Sequence, residues 1–324
     1  MKKIGITGAA GFLGSQLAKE LIAQGHRVIG LDNLSTGRKS NLELLLSVPS
    51  FAFLERNAAD RQIVDLPELE GVNEIYHLAS PASPKFYQAA PIETIYVNSI
   101  GTQNMLELAK KYRAKILYAS TSEAYGDPEV HPQPEDYRGN VNTWGPRACY
   151  DEAKRLGEVF CYEYHRLHGV QAKVARIFNT YAAGLRNDDG RVISNFVTQA
   201  LAGEPITVYG DGSQTRSFCY ADDTLRALQL MMESDSATGE IVNVGNPHEY
   251  SVLEVARMVK RLTGSTSEIV FRPLPQDDPR VRRPVIDKAK RLLKWEPTVS
   301  LEEGLLRTIE AYRQSPAQAE ATIR

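Results

Sequence analysis

The stretch Lys2-Lys3-Ile4-Gly5-Ile6-Thr7-Gly8-Ala9-Ala10-Gly11-Phe12-Leu13-Gly14 decides the fold. Lys2–Thr7 is a short apolar run that reads as a strand, and Ser15–Gln24 carries the helical period. A glycine-rich turn between strand and helix is the context of a dinucleotide-binding fingerprint. Gly8 permits the tight turn, Gly11 lets backbone approach a pyrophosphate, and Gly14 lets the helix pack close to the sheet. The helix N-terminus adds unpaired N–H donors and partial positive charge for phosphates. The second strand, Arg27–Leu31, ends at Asp32, close to the roughly 20-residue offset of a ribose-binding acid. A carboxylate there accepts from both ribose hydroxyls and repels a 2′-phosphate, which favours NAD over NADP. Arg38 reads as a solvated loop arginine.

Outward from this unit the chain alternates strands and helices. Phe51–Glu55, Asn73–Leu78, Lys115–Ala119 and Gln171–Ile177 read as further strands, and Pro91–Tyr112 as one long helix. Pro81–Tyr87 is proline-rich and reads as a loop beyond a strand's carboxyl end, the edge that holds ligands in open α/β sheets. From Asp127 to Ala148 no period is visible, and a structureless stretch that long is usually functional. The alternation predicts an α/β fold, a Rossmann-type doubly wound parallel sheet. After Phe178 the pattern becomes less regular, which suggests a smaller C-terminal substrate-binding lobe. The division is 1–178 plus 216–245 for the dinucleotide lobe and 179–215 plus 246–324 for the second lobe. The helix around Asp222–Met232 and the strand Ile241–Val244 return to the first. The Ala/Gln/Ser-rich tail after Arg313 is expected to fray.

Composition narrows the class. With 324 residues, 42% of them hydrophobic, the chain can bury a large core, and its net charge of −2 implies no general attraction to nucleic acid or anionic membrane. Cys149, Cys161 and Cys219 have neither metal-ligand nor disulfide spacing, and an odd thiol count suits a reducing compartment. No metal site is expected, and His77 reads as a core histidine. Met-Lys-Lys-Ile enters a strand at once and no apolar run approaches the roughly 20 residues of a membrane helix. A cytoplasmic address is expected.

Chemistry concentrates in Tyr150-Asp151-Glu152-Ala153-Lys154. Four residues apart on a helix, Tyr150 and Lys154 share a face. A free phenol titrates near about 10; an adjacent ammonium favours the phenolate, and a bound nicotinamide cation would lower the pKa further. The pair suits removal of a hydroxyl proton while hydride leaves the same carbon.

Around this pair lie His77-Leu78-Ala79-Ser80-Pro81-Ala82-Ser83-Pro84, Ser120-Thr121-Ser122-Glu123, Gly126–Pro132, Gly145–Glu152, Ala175–Thr180, Gly210–Arg216 and Gln276–Pro279. With these runs the chain resembles the extended short-chain dehydrogenase/reductase (NAD-dependent epimerase/dehydratase) superfamily, and within it the UDP-glucuronate decarboxylases, or UDP-xylose synthases. The resemblance implies catalytic roles for Thr121, Ser122, Glu123, Tyr150, Lys154 and Arg282. It implies NAD contacts from Gly8, Gly11, Phe12, Leu13, Gly14, Asp32, Asn33, Ala58, Leu78, Ala79, Asn98, Ser120, Tyr150, Lys154 and Ile177. UDP-sugar contacts are implied for Pro81, Lys85, Tyr87, Asn179, Arg191, Val192, Tyr209, Arg216 and Arg282. The implied reaction oxidises C4 of UDP-glucuronate, loses CO2 and reduces the ketone to UDP-xylose. Glu123 with Arg282 would handle the uronate carboxylate and the proton delivered after CO2 departs.

Dehydratases of the superfamily carry an Asp-Glu pair where Ser122-Glu123 stands, and 4-epimerases usually lack the acid. Ser122 and Glu123 thus argue against the alternative of a UDP-sugar 4-epimerase or 4,6-dehydratase; a third reading, in another class, is a non-catalytic NAD-binding regulator. Ala182-Ala183-Gly184, Asn57, Lys85, Arg138, Thr143 and Trp144 depart from the family pattern and leave room for a related substrate, such as a 2-acetamido uronate. By the same likeness the helices Pro91–Tyr112 and Cys149–His168 pair across a two-fold, which implies a homodimer with a four-helix interface.

Overall fold

Buried residues alternate little along the strands here. β1 (Lys3–Thr7), β2 (Arg27–Asp32), β4 (Glu74–His77) and β5 (Lys115–Thr121) are buried along most of their length, the pattern of a parallel sheet covered on both faces. The computed structural model describes residues 1–185 and 189–314. With β3 (Phe51–Glu55), β6 (Gln171–Ile177) and β11 (Ile241–Val244) these strands form a seven-stranded sheet in the order β11-β6-β5-β4-β1-β2-β3. All its neighbours are parallel. Strand order reverses at β1, between β2 and β4, and the crevice beyond Thr7 and His77 is the topological switch point where ligands bind in such sheets.

Helix α1 (Phe12–Ala23) starts three residues earlier than its apolar period suggested, so Gly14 lies inside it. An added Cβ on Gly14 would stand 2.1 Å from the Gly8 carbonyl oxygen, so only glycine lets the helix sit this close to the turn. Pro81–Tyr87 is not wholly a loop. Ser83 is the extended N-cap and Pro84 the first residue of α2 (Pro84–Ala89), because proline lacks only an N–H that the first turn leaves unpaired anyway. The long helix Pro91–Tyr112 is continuous but not uniform. It consists of α3 (Pro91–Tyr96), a π-helical turn at Val97–Gly101 and α4 (Thr102–Tyr112). The π turn carries Asn98, fully buried, whose amide donates to Ser80 Oγ at 2.9 Å. Such turns recur at functional sites.

Helix α5 (Ala148–His168) follows the irregular stretch 127–147, and Gly157 within it would put a Cβ 2.2 Å from Tyr118 Oη. Beyond β6 come β7 (Thr180–Tyr181), α6 (Val192–Ala202), β8 (Ile206–Tyr209), β9 (Thr215–Ser217), β10 (Cys219–Tyr220) and α7 (Ala221–Glu233). After β11 follow β12 (Glu249–Ser251), α8 (Val252–Thr263), β13 (Ile269–Arg272), α9 (Asp287–Leu293) and α10 (Leu301–Gln314). Val197, Val208, Val255, Leu305 and Ile309 belong to a separate apolar core, away from the sheet. Leu225, Met231, Ala289 and Trp295 instead join the core of β1 and α1. His77 is buried between Thr7 Oγ1 at 2.7 Å and Thr102 Oγ1 at 3.2 Å, and burial lowers its pKa to about 3, so it is neutral. Among the described residues no helix is long and apolar enough to cross a membrane. The tail expected to fray lies outside the described residues beyond Gln314.

Candidate active site

A cavity of about 440 Å³ opens at the carboxyl edge of the sheet. Its floor is the glycine turn: Gly8, Gly11, Phe12, Leu13 and Gly14 all line it. Gly11 caps α1 in extended conformation with no side chain over the end, so nothing from the first turn covers the amides of Phe12 and Leu13. A Cβ on Gly8 would stand 2.9 Å from the Ala79 amide nitrogen, so the two loops at the switch point come close only through glycine. Asp32 lines the far end, its carboxylate aimed by the amides of Ala10 at 2.9 Å and Leu34 at 2.8 Å. Burial raises the Asp32 pKa and these backbone donors pull it back. Asn33, Ala58, Leu78, Ala79, Ser120 and Ile177 complete the wall. A cradle a side chain would fill, an uncapped helix end and a fixed carboxylate fit a dinucleotide. Arg38 is not a solvated loop arginine: it lines this cavity and donates to the Gly184 carbonyl at 3.3 Å.

Tyr150 and Lys154 meet the cavity from the first turns of α5 and Thr121 from the end of β5. Lys154 Nζ lies 5.8 Å from the Tyr150 ring centre and donates to the Ala119 carbonyl at 2.6 Å. Burial holds the Tyr150 phenol above its ordinary range, against the lowering effect of the Thr121 side chain. Burial also lowers the Lys154 pKa to about 7, with Glu158 opposing. Tyr87 stacks on Tyr150 with ring centres 4.9 Å apart, which fixes the phenol plane.

Glu123 caps nothing. Thr121 Oγ1 accepts from the Glu123 amide at 3.2 Å, and the Glu123 carboxylate turns instead to two guanidiniums. Arg282 Nη1 stands 3.1 Å from Oε1, and Arg147 Nη2 donates to Oε2 at 2.7 Å. Arg282 also donates to Ser122 Oγ at 3.0 Å and the Gly126 carbonyl at 2.7 Å. Arg147 continues to Asp278 Oδ1 at 3.3 Å, and Asp278 Oδ2 accepts from Arg216 at 2.9 Å. Burial alone would raise the Glu123 pKa, but Arg282, Arg147 and Arg216 hold it at about 2. Three guanidiniums against two carboxylates leave this linked cluster one positive charge in excess.

Of the other residues singled out in the sequence, Pro81, Asn179 and Arg191 line the cavity, the last paired with Asp189. Arg282 and Arg216 stand behind Glu123 rather than on the cavity wall, and Asn98 and Tyr87 lie beneath it. Lys85 on α2, Val192 at the start of α6 and Tyr209, 43% exposed at the end of β8, are not brought to the cavity wall. Sequence reading gave no role to Arg147 or Asp278. Both sat inside quoted motifs, but nothing in linear order says that Arg147 meets Glu123 or that Asp278 joins two arginines.

The class of protein is defined by this combination of switch-point cradle and Tyr/Lys helix: the model of the NAD dependent epimerase/dehydratase family matches residues 4–245, and the chain belongs to that family. More particularly, it is 52% identical over 311 residues to UDP-glucuronic acid decarboxylase 1 of Danio rerio, a match covering 96% of this chain and 72% of that one. Among solved structures it resembles a UDP-glucose 4-epimerase of Thermotoga maritima with UDP-glucose (TM-score 0.89, 32% identity, 97% of this chain and 99% of that one). It also resembles a UDP-glucuronic acid 4-epimerase of Bacillus cereus in complex with UDP-glucuronic acid and NAD (TM-score 0.87, 29% identity, 96% and 99%).

Proposed function

We propose that this protein is an NAD-dependent decarboxylase converting UDP-glucuronate to UDP-xylose through a 4-keto intermediate. The observation that carries the reading is the placement of Glu123, flanked by Arg282 and Arg147, two residues past Thr121 and on the wall of the same cavity as Tyr150. The decarboxylases at about half identity point the same way.

NAD held by the Gly8–Gly14 turn and Asp32 supplies the hydride acceptor and a positive ring charge that favours the Tyr150 phenolate. Tyr150 takes the C4 hydroxyl proton, with Thr121 steadying the phenol. Oxidation at C4 makes the uronate a β-keto acid. Loss of CO2 leaves an enolate, whose oxygen Tyr150 and Thr121 stabilise by hydrogen bonding; once C5 is protonated, the hydride removed from C4 would return there and Tyr150 gives back its proton to O4, restoring the alcohol. The positive excess of the arginine cluster behind Glu123 favours an anionic substrate. Glu123, ionised at neutral pH, repels the uronate carboxylate and favours its departure as neutral CO2.

The lobes are assigned as residues 1–178 plus 216–245 for NAD and 179–215 plus 246–324 for the nucleotide sugar, with α9 packed back on the first core. A homodimer is supported by an apolar surface on α3 and α5, where Ile92, Tyr96, Leu156, Val159 and Tyr162 are each more than 40% exposed. Three unpaired thiols favour a reducing, cytoplasmic setting.

The test is incubation with UDP-glucuronate, following CO2 and the sugar product. UDP-xylose with stoichiometric CO2 is the expected result. UDP-galacturonate without CO2 selects a 4-epimerase, and no turnover with any UDP-uronate despite bound NAD selects a regulator.

A further inference from the structure

We propose that Asp151, next in the chain after Tyr150, holds the proton that takes the place of CO2 on C5 of the sugar. The inference rests on the decarboxylase reading and assigns its unfilled role.

When the C5–carboxyl bond breaks, its electron pair passes into an enolate over C5, C4 and O4. One proton must then bond to C5 while O4 returns to ketone. Glu123 does not carry it. Both its oxygens face guanidinium donors, Arg282 and Arg147, and the group is ionised down to about pH 2. Asp151 is the reverse case. It is 6% exposed, and its Oδ1 is buried without a hydrogen-bond partner among the described residues. Burial of an oxygen without a hydrogen bond disfavours the ionised form, so the acid form is favoured. Burial raises its pKa to about 8, with the Glu123 charge adding and Arg147 and Arg282 opposing. Two carboxyls whose surroundings drive them apart mark acid and base.

A path joins them. Asp151 and Glu123 both line a second cavity of about 200 Å³, shared with Gly126, Val141 and Pro279 and roomy enough for water. Glu123 also lines the larger cavity, so it is the wall between the two. Exposed Asn140 and Asn142 border the second cavity and connect it to solvent. The Asp151 proton passes through cavity water, past Glu123, to C5; Asp151 is left as carboxylate and regains a proton from solvent. The groups acting on Asp151 are Glu123 after β5, Arg147, Cys149 and Glu152 at the start of α5, Arg282 after β13, and, through space, Tyr87 and Tyr150, while Asp127, Asp277 and Asp278 line the same cavity.

The experiment uses the full chain with NAD and UDP-glucuronate, wild type and Asp151→Asn, with single-turnover oxidation and steady-state product formation measured across pH in water and D2O. Asp151→Asn is expected to oxidise C4 at the wild-type rate while UDP-xylose formation falls roughly 10²-fold, and to scatter deuterium over both C5 positions. Wild-type product formation is expected to decline above about pH 8, a limb missing in Asp151→Asn. Any limb from Lys154 appears in the oxidation step of both proteins and is separated by it. Wild-type rates, single-site deuteration and an unchanged limb in Asp151→Asn overturn the proposal. If that variant loses NAD or folds poorly, absence of a post-oxidation alkaline limb in wild type overturns it instead. Failure of wild type to release CO2 defeats the decarboxylase reading itself, a separate outcome.

Discussion

At Tyr150 the burial that excludes water from the reacting carbon also opposes ionisation of the phenol, and the two demands are met by different groups. Thr121 lowers the phenol's pKa, Tyr87 holds the ring, and burial pulls the Lys154 pKa down. Tyr150→Phe is therefore expected to reduce turnover by about 10²–10⁴-fold with NAD still bound, read by cofactor content and UDP-xylose formation. Near wild-type turnover would remove Tyr150 as the base. Arg147 and Arg282 are different in kind, because each holds an ionised Glu123. Arg147→Ala leaves Glu123 with one guanidinium and cuts Asp278 from the cluster. It is expected to slow decarboxylation by about 10-fold or more while oxidation continues, so that 4-keto uronate accumulates in the reaction mixture; loss of both steps in parallel would indicate only a folding role. The size follows from losing one charge-assisted hydrogen bond of about 1.5–3 kcal/mol.

The elements that matter most are the turn into α1 and the π turn between α3 and α4. Gly14 has no room for a methyl group against Gly8. Gly14→Ala is expected to destabilise the fold by about 3 kcal/mol and to yield protein that purifies without NAD, measured by thermal melting and cofactor absorbance. Retained NAD with an unchanged melt would show that the turn relaxes. The glycine spacing was legible because each glycine answers a local steric need. The π turn was not, since one extra residue per turn leaves the apolar period of 91–112 almost unaltered while moving Asn98 onto Ser80. The short helix α2 was missed for a related reason: two prolines read as helix-breaking until one of them occupies the first helical position.

At the scale of the molecule, α3 and α5 turn Ile92, Tyr96, Val159 and Tyr162 outward, and scattered solvation does not account for so many large apolar groups on adjoining helices. Val159→Asp combined with Tyr162→Asp is expected to convert the proposed homodimer into monomer at micromolar concentration, read by sedimentation, with NAD still bound. A wild-type monomer under the same conditions rules out the dimer. The strap around 277–283 works at the same scale, bringing Asp278 and Arg282 from one end of the chain to Glu123 and Arg147 near its middle.

Sequence alone determined the parallel sheet, the NAD cradle and the Tyr150/Lys154 helix, because each is written within one turn or one period and needs no distant partner. Which carboxylate faces which guanidinium was decided only in three dimensions. Burial and pairing set the charge of Glu123 and Asp151, and both depend on residues more than a hundred positions away in the chain.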